Sequence, residues 1–96
     1  MIYKIVIVDE AKADYRKSLE WYKDINPELA KKFNLSFKKS LALLKENPLH
    51  FQIRYADVRT LLIDTFPYLI HFTVYEKLVV ITAIYHISRD SKLNLF

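Results

Sequence analysis

Asn26-Pro27 cuts a long helical pattern in two and leaves no room for a loop between the halves. The residue before a proline is pushed out of the α region, and proline suits the first position of a helix that follows an asparagine cap. The dipeptide therefore ends one helix and begins another. Upstream, Tyr15, Leu19, Tyr22 and Ile25 recur at spacings of three and four, with Lys12, Arg16, Lys17, Glu20, Lys23 and Asp24 between them. Downstream, Leu29, Ala30, Phe33, Phe37, Leu41 and Leu44 form a second stripe flanked by Lys31, Lys32, Lys38, Lys39 and Lys45, and Asn47-Pro48 closes it. Two helices joined so tightly lie side by side as an antiparallel hairpin, and both stripes need a sheet to cover.

The rest of the chain supplies that sheet. Residues 2 to 8 are β-branched and aromatic on both parities with Lys4 as the only charge, which predicts a central strand covered on most of its length. Asp9 is the expected N-cap of the first helix, with Glu10 adding a favourable charge in its first turn. After Pro48, the segments 50–55, 58–64, 69–76 and 78–86 favour strand by composition. Within the third, Ile70, Phe72 and Val74 alternate with His71, Thr73 and Tyr75, the pattern of one covered and one open face. Glu76-Lys77 lacks the Asn-Gly chemistry that a two-residue hairpin prefers. The predicted class is α+β, with an N-terminal strand and a helical hairpin packed on one face of a mainly antiparallel sheet.

At 96 residues the chain has room for one domain, 1–96, with the polar stretch from Ser88 and the segment 91–96 expected to be loosely held. Hydrophobic residues make up 52%, including seven Tyr, six Phe and one Trp, far from the composition of disordered chains. Cysteine is absent, which removes disulfides, thiolate nucleophiles and Cys-ligated zinc and fits a reducing compartment, so the expected location is cytoplasmic. The apolar start has no charged leader and runs into Asp9-Glu10, so it reads as a strand and neither an export signal nor a membrane span. Glycine is also absent, so tight turns fall to Asn, Asp, Pro or ordinary residues, and no phosphate-cradling glycine loop exists. Walker and Rossmann nucleotide sites are thereby excluded. Net charge is +4, with ten Lys/Arg against seven Asp/Glu in residues 1–48 and five against four in 49–96, so the basic excess sits mainly on the helices.

No paired carboxylates, His-rich metal spacing or nucleophile elbow occurs, and the sequence calls for no metal or cofactor. The groups that could act on or hold a phosphodiester are His50, Arg54, Arg59, Tyr68, His71, Tyr75, His86 and Arg89. Arg59 interrupts an apolar strand and must reach solvent, a partner, or a carboxylate such as Asp57 or Asp64. His86 ends an apolar strand, where a histidine more often completes a hydrogen-bond network than performs catalysis. Arg89-Asp90 reads as a solvated turn placed to meet an acidic or phosphate partner. Tyr68 reads as a packed ring with a bonded hydroxyl. Trp21 lies one residue off the first stripe and is either a core margin or a partner-binding ring.

Trp21-Tyr22, Asn26-Pro27-Glu28-Leu29-Ala30 and Phe33, followed by Pro48, Arg59, Phe66-Pro67-Tyr68, the strands 70–74 and 80–84, His86 and Arg89-Asp90, resemble in order the RelE/ParE superfamily of bacterial toxins. The resemblance spans residues 2 to about 90. It implies a βααβββ(β) fold, a co-encoded antitoxin partner, and growth inhibition by one of two routes. One is ribosome-dependent mRNA cleavage, with Arg59 and His86 as catalytic groups and Arg54 or Arg89 as auxiliary charge. The other is poisoning of DNA gyrase, which needs no catalytic residue and leaves Arg54, Tyr68 and Arg89 as binding residues. In some members of the cleaving branch a His-Tyr pair stands near the C-terminus, where this chain has His86-Ile87. With only five Lys/Arg in its second half, the chain is more similar to the ParE branch. An inert antitoxin-binding module is the third reading. Whether the chain is an enzyme therefore depends on the branch.

Overall fold

The Asn26 junction is built as its chemistry dictates. Its backbone is extended, its N–H closes the first helix on the Tyr22 carbonyl at 2.8 Å, and its side-chain oxygen accepts from the Glu28 N–H at 2.9 Å, with Pro27 at the first helical position. In this computed structural model, which describes residues 2–88, the chain runs β1 (Lys4–Ile7), α1 (Asp9–Ile25), α2 (Pro27–Glu46), a 3-10 turn (Pro48–His50), β2 (Ile53–Tyr55), β3 (Val58–Leu62), β4 (Tyr68–Tyr75) and β5 (Leu78–His86). Residues 91–96, expected to be loosely held, lie outside the described residues.

The five strands form one mixed sheet in the order β1-β5-β4-β3-β2. β1 runs parallel to β5 and the other three pairings are antiparallel. The helical hairpin covers one face, as expected, but three local expectations change. β1 is four residues long and lies at an edge, not at the centre, because among the described residues its only strand neighbour is β5. The N-cap of α1 is Val8, which makes no side-chain cap, so Asp9 acts with Glu10 as negative charge in the first turn. The segment 50–55 is strand only from Ile53, because Pro48 opens a 3-10 turn first.

The core forms where the two helical stripes meet β4 and β5. Phe33 is fully buried, with ring centroids of Tyr22, Phe66 and Tyr68 at 5.3, 5.3 and 5.1 Å and Tyr15 at 5.8 Å. Offset and edge-on contacts at such distances add to the area that each ring buries. Ile70, Phe72, Val79 and Ile81 continue the same surface across the sheet. On α1 the buried contacts come from Ala11, Tyr15, Ser18 and Tyr22, while Ile25, at the end of the predicted stripe, is exposed beside Asn26. Asp14 reaches from α1 to accept the Ile84 N–H at 3.1 Å, beyond the point where β1 stops pairing with β5.

Without glycine, the turns place ordinary residues in the left-handed region: Ala56 at φ 47°, Thr65 at φ 75° and Glu76 at φ 54°. Glu76-Lys77 closes the β4–β5 hairpin on the pair Tyr75 and Leu78 even so. A β-branched residue is the costliest occupant of this region, at roughly 1–2 kcal/mol, against roughly 0.5–1 kcal/mol of extra chain entropy lost by a glycine. Thr65→Gly is therefore expected to raise the urea midpoint by an amount equivalent to about 0.5–1 kcal/mol; a lowered midpoint would refute the strain argument. Phe33→Ala should cost about 3–5 kcal/mol, since it empties the point where four aromatic rings converge.

Candidate functional site

The register decides which face each candidate side chain joins, because directly paired residues in an antiparallel sheet point the same way. Arg59 pairs with Phe72 and therefore lies on the helix side. Its guanidinium donates to the Phe51 carbonyl at 2.6 Å and the Leu49 carbonyl at 3.4 Å, pinning the connection between α2 and β2. Carbonyl oxygens replace the expected carboxylates: among the described residues no ion pair joins Arg59 to Asp57 or Asp64.

His86 pairs with Tyr68, also on the helix side, and its ring meets the Tyr68 ring edge-on at 5.0 Å. Its Nδ1 accepts the Ser88 N–H at 3.1 Å, which in the neutral ring leaves the proton on Nε2, and the Ser88 hydroxyl lies 3.3 Å away. Tyr68 is core, buried under Tyr22 and Phe33, so it supports the sheet from inside and offers no surface to a partner. Arg54 is exposed on the edge strand β2. Arg89 falls outside the described residues, as does Asp90. The structure does not bring Arg59 and His86 together: they sit on strands either side of β4 and four residues apart along it, roughly 16 Å by strand spacing.

The open face carries a cluster that the sequence pattern only half revealed. His71, expected to face solvent, is 2% exposed. The Tyr55 hydroxyl lies 3.0 Å from its Nδ1, and the Tyr85 ring stands edge-on at 5.2 Å. Alternation along β4 does put His71 on this face, but its cover comes from β2 and β5. Tyr55 reaches it through a register shift between Ile53 and Tyr55 that no sequence period encodes. Burial holds the His71 imidazole below its ordinary value, and burial of the Tyr55 hydroxyl, with Tyr85 second, pushes that phenol up. Around this cluster the face stays apolar, with Tyr55 45%, Leu62 58% and Tyr75 71% exposed and Val6 beyond them. Trp21, on the helix layer, is half exposed.

A second feature lies at the β1 edge of the helix layer, where a groove of about 250 Å³ opens between α1 and α2. Its walls are apolar and its rim carries Lys12, Arg16 and Lys38. The sequence shows these cations only as parts of two charged helix faces; the hairpin packing brings them together. Tyr15 donates to the Asn34 side-chain oxygen across the same groove, and burial raises its phenol pKa. Among the described residues no group of three or more His, Asp or Glu is placed to hold a metal ion, and no helix is long and apolar enough to cross a membrane.

Two helices on a five-stranded mixed sheet, with an open apolar face opposite the helices, define a small α+β domain. A family model described as the ParE toxin of the type II toxin–antitoxin system parDE matches residues 5–91, and the chain belongs to that family. Among solved structures it is similar to a chain of the chromosomal ParDE toxin–antitoxin system from P. aeruginosa, with a TM-score of 0.77 and 22% identity over 88% of this chain and 96% of that one. No curated protein matches the sequence. The fold expected from the resemblance is therefore the fold observed, and membership of a toxin–antitoxin family implies an antitoxin partner.

The buried neutral His71 has a pH consequence. Its folded pKa lies below the unfolded value near 6.5, so below that pH the unfolded chain binds a proton that the folded chain refuses, and stability falls as pH falls toward the folded pKa. One group can contribute at most about 1.4 kcal/mol per pH unit to this slope. Thermal melts of wild type and His71→Gln between pH 7 and 5 should show a smaller acid loss in the variant; equal losses would remove His71 as the cause.

Proposed function

We propose that the protein inhibits bacterial growth by binding and poisoning DNA gyrase in the cytoplasm, without catalysing a reaction itself, and that a cognate antitoxin neutralises it. The observation that carries this reading is the state of Arg59 and His86. Cleavage of a phosphodiester needs a cation beside the developing charge and a proton-transfer group within reach of the same phosphate. Arg59 instead spends its guanidinium on two backbone carbonyls, and His86 lies two strands away beside Tyr68. An exposed apolar sheet face, by contrast, is suited to a protein target. Poisoning by contact requires no cofactor.

Purified protein added to gyrase and relaxed plasmid is expected to block supercoiling, while message on translating ribosomes stays intact. Defined cleavage of that message at the ribosomal A site, abolished by His86→Ala and Arg59→Ala, would replace the gyrase reading with mRNA endonuclease activity. Silence in both assays and in an induced-growth test would leave an antitoxin-binding module. If the open face makes the contact, Leu62→Asp should weaken gyrase inhibition about tenfold, the size of losing about 1.4 kcal/mol at a well-packed interface position. Unchanged inhibition by a folded Leu62→Asp protein would move the contact elsewhere.

A further inference from the structure

Among the described residues no α-helix lies on the sheet face opposite the hairpin, and that face is almost without charge. The register turns Val6 of β1, Val80 of β5, Thr73 and Tyr75 of β4, and Thr60 and Leu62 of β3 to this side. Val6, Leu62 and Tyr75 are exposed there. Of the residues that the pairing places on this face, Lys4 alone is a Lys, Arg, Asp or Glu, and it stands on the edge strand. Aromatic and aliphatic side chains with few charges are the composition of the centre of a protein interface.

Charge and area together say what fits it. The chain carries a net +4, and α2 alone holds five lysines against two glutamates. Two copies therefore repel wherever their helix layers approach. Sheets meeting face to face stand about 10 Å apart and a helix is about 10 Å thick, so pairing through the open faces leaves the two helix layers roughly 30 Å apart. That is several times the Debye length of about 8 Å at physiological ionic strength. An acidic partner, by contrast, would find only Lys4 to pair with. The face measures roughly 19 Å across its four strand spacings and roughly 26 Å along the eight residues of β4, or roughly 500 Å² in projection. A standard interface takes about 800 Å² from each partner and a weak, transient one less than about 600 Å².

We propose that this face closes on the same face of a second copy of the chain, as a weak isologous dimer in which the two sheets pack nearly aligned and Val6, Leu62 and Tyr75 of both copies interdigitate. Tyr75 suits such a seam, since its ring supplies apolar area while its hydroxyl stays wet at the rim. The contact covers the surface offered to gyrase above, so the dimer is a stored form and the monomer the inhibitor. That consequence alone rests on the proposed target; the pairing of the two faces does not.

Sedimentation equilibrium of the full chain, from micromolar to millimolar concentration, is expected to show a monomer–dimer equilibrium with a Kd of roughly 100 µM. Leu62→Asp and Tyr75→Asp should each raise that Kd at least about tenfold, because every substitution enters the seam twice, whereas Leu35→Asp, at an exposed position of α2, should leave it unchanged. Added salt should strengthen the dimer or leave it as it is, since it screens repulsion between two cations and breaks no ion pair. Wild-type amide shifts followed by NMR on dilution locate the contact even where a variant folds poorly. Changes centred on Val6, Leu62, Thr73 and Tyr75 support the proposal, and changes centred on the helices overturn it. It is also overturned by a chain that stays monomeric at millimolar concentration, whether the face is bare or residues 93–96 of the same chain lie across it. A dimer that salt dissolves, or one that Leu35→Asp disrupts and Leu62→Asp does not, overturns it as well. No step of this test contains gyrase, so a failed supercoiling assay leaves the dimer standing, and a monomer leaves the gyrase reading untouched.

Discussion

Everything in this small domain leans on the ring of Phe33. At this ring of α2, α1 and the start of β4 meet, through Tyr15 and Tyr22 on one side and Phe66 and Tyr68 on the other. A chain of 96 residues buries a modest fraction of its surface, so its core cannot be spread over several weak centres. Concentrating six-membered rings where the hairpin sits on the sheet gives large buried areas with few rotatable bonds to freeze. The single-residue junction at Asn26 makes this possible, because it fixes the two helices at a separation their facing aromatics can fill.

The helical layer was legible because its signals are local. A cap, a proline and a three-four spacing act within one turn, and the observed α2 begins and ends where Asn26-Pro27 and Asn47-Pro48 put it. The strand β5, at 78–86, was equally clear from its apolar run. What failed was position within the sheet. The composition of residues 2–8 suits burial, yet β1 is an edge, because strand order is set by which strand the last one joins and not by the residues of the first. The N-cap slipped by one residue for a related reason: an Asp in the first turn helps a helix by its charge whether or not its side chain caps it.

The candidate site was less legible because its parts meet only through long-range pairing. Arg59 was recognisable as a charge in an apolar strand, but its partners are backbone carbonyls eight and ten residues upstream, which no residue identity announces. His71 was assigned to the correct face and the wrong exposure, since its cover arrives from two other strands. The three cations of the helix groove belong to different helices and become neighbours only after the hairpin closes. Side-chain alternation states which way a residue points; it does not state what will lie on top of it.

The pairing of the first strand with the last has a consequence for how such a protein is made. β1 leaves the ribosome before the helices, but the strand it pairs with begins at Leu78, and the Asp14 carboxylate of α1 waits for Ile84, 70 residues later. Contacts of this span close late and set the pace of folding. The helical hairpin can form during synthesis, whereas the five-stranded sheet cannot be finished until β5 has been made. A translation product cut off before Leu78 would lack the strand that joins β1 to β4, so the architecture itself ties the native surface to synthesis of β5.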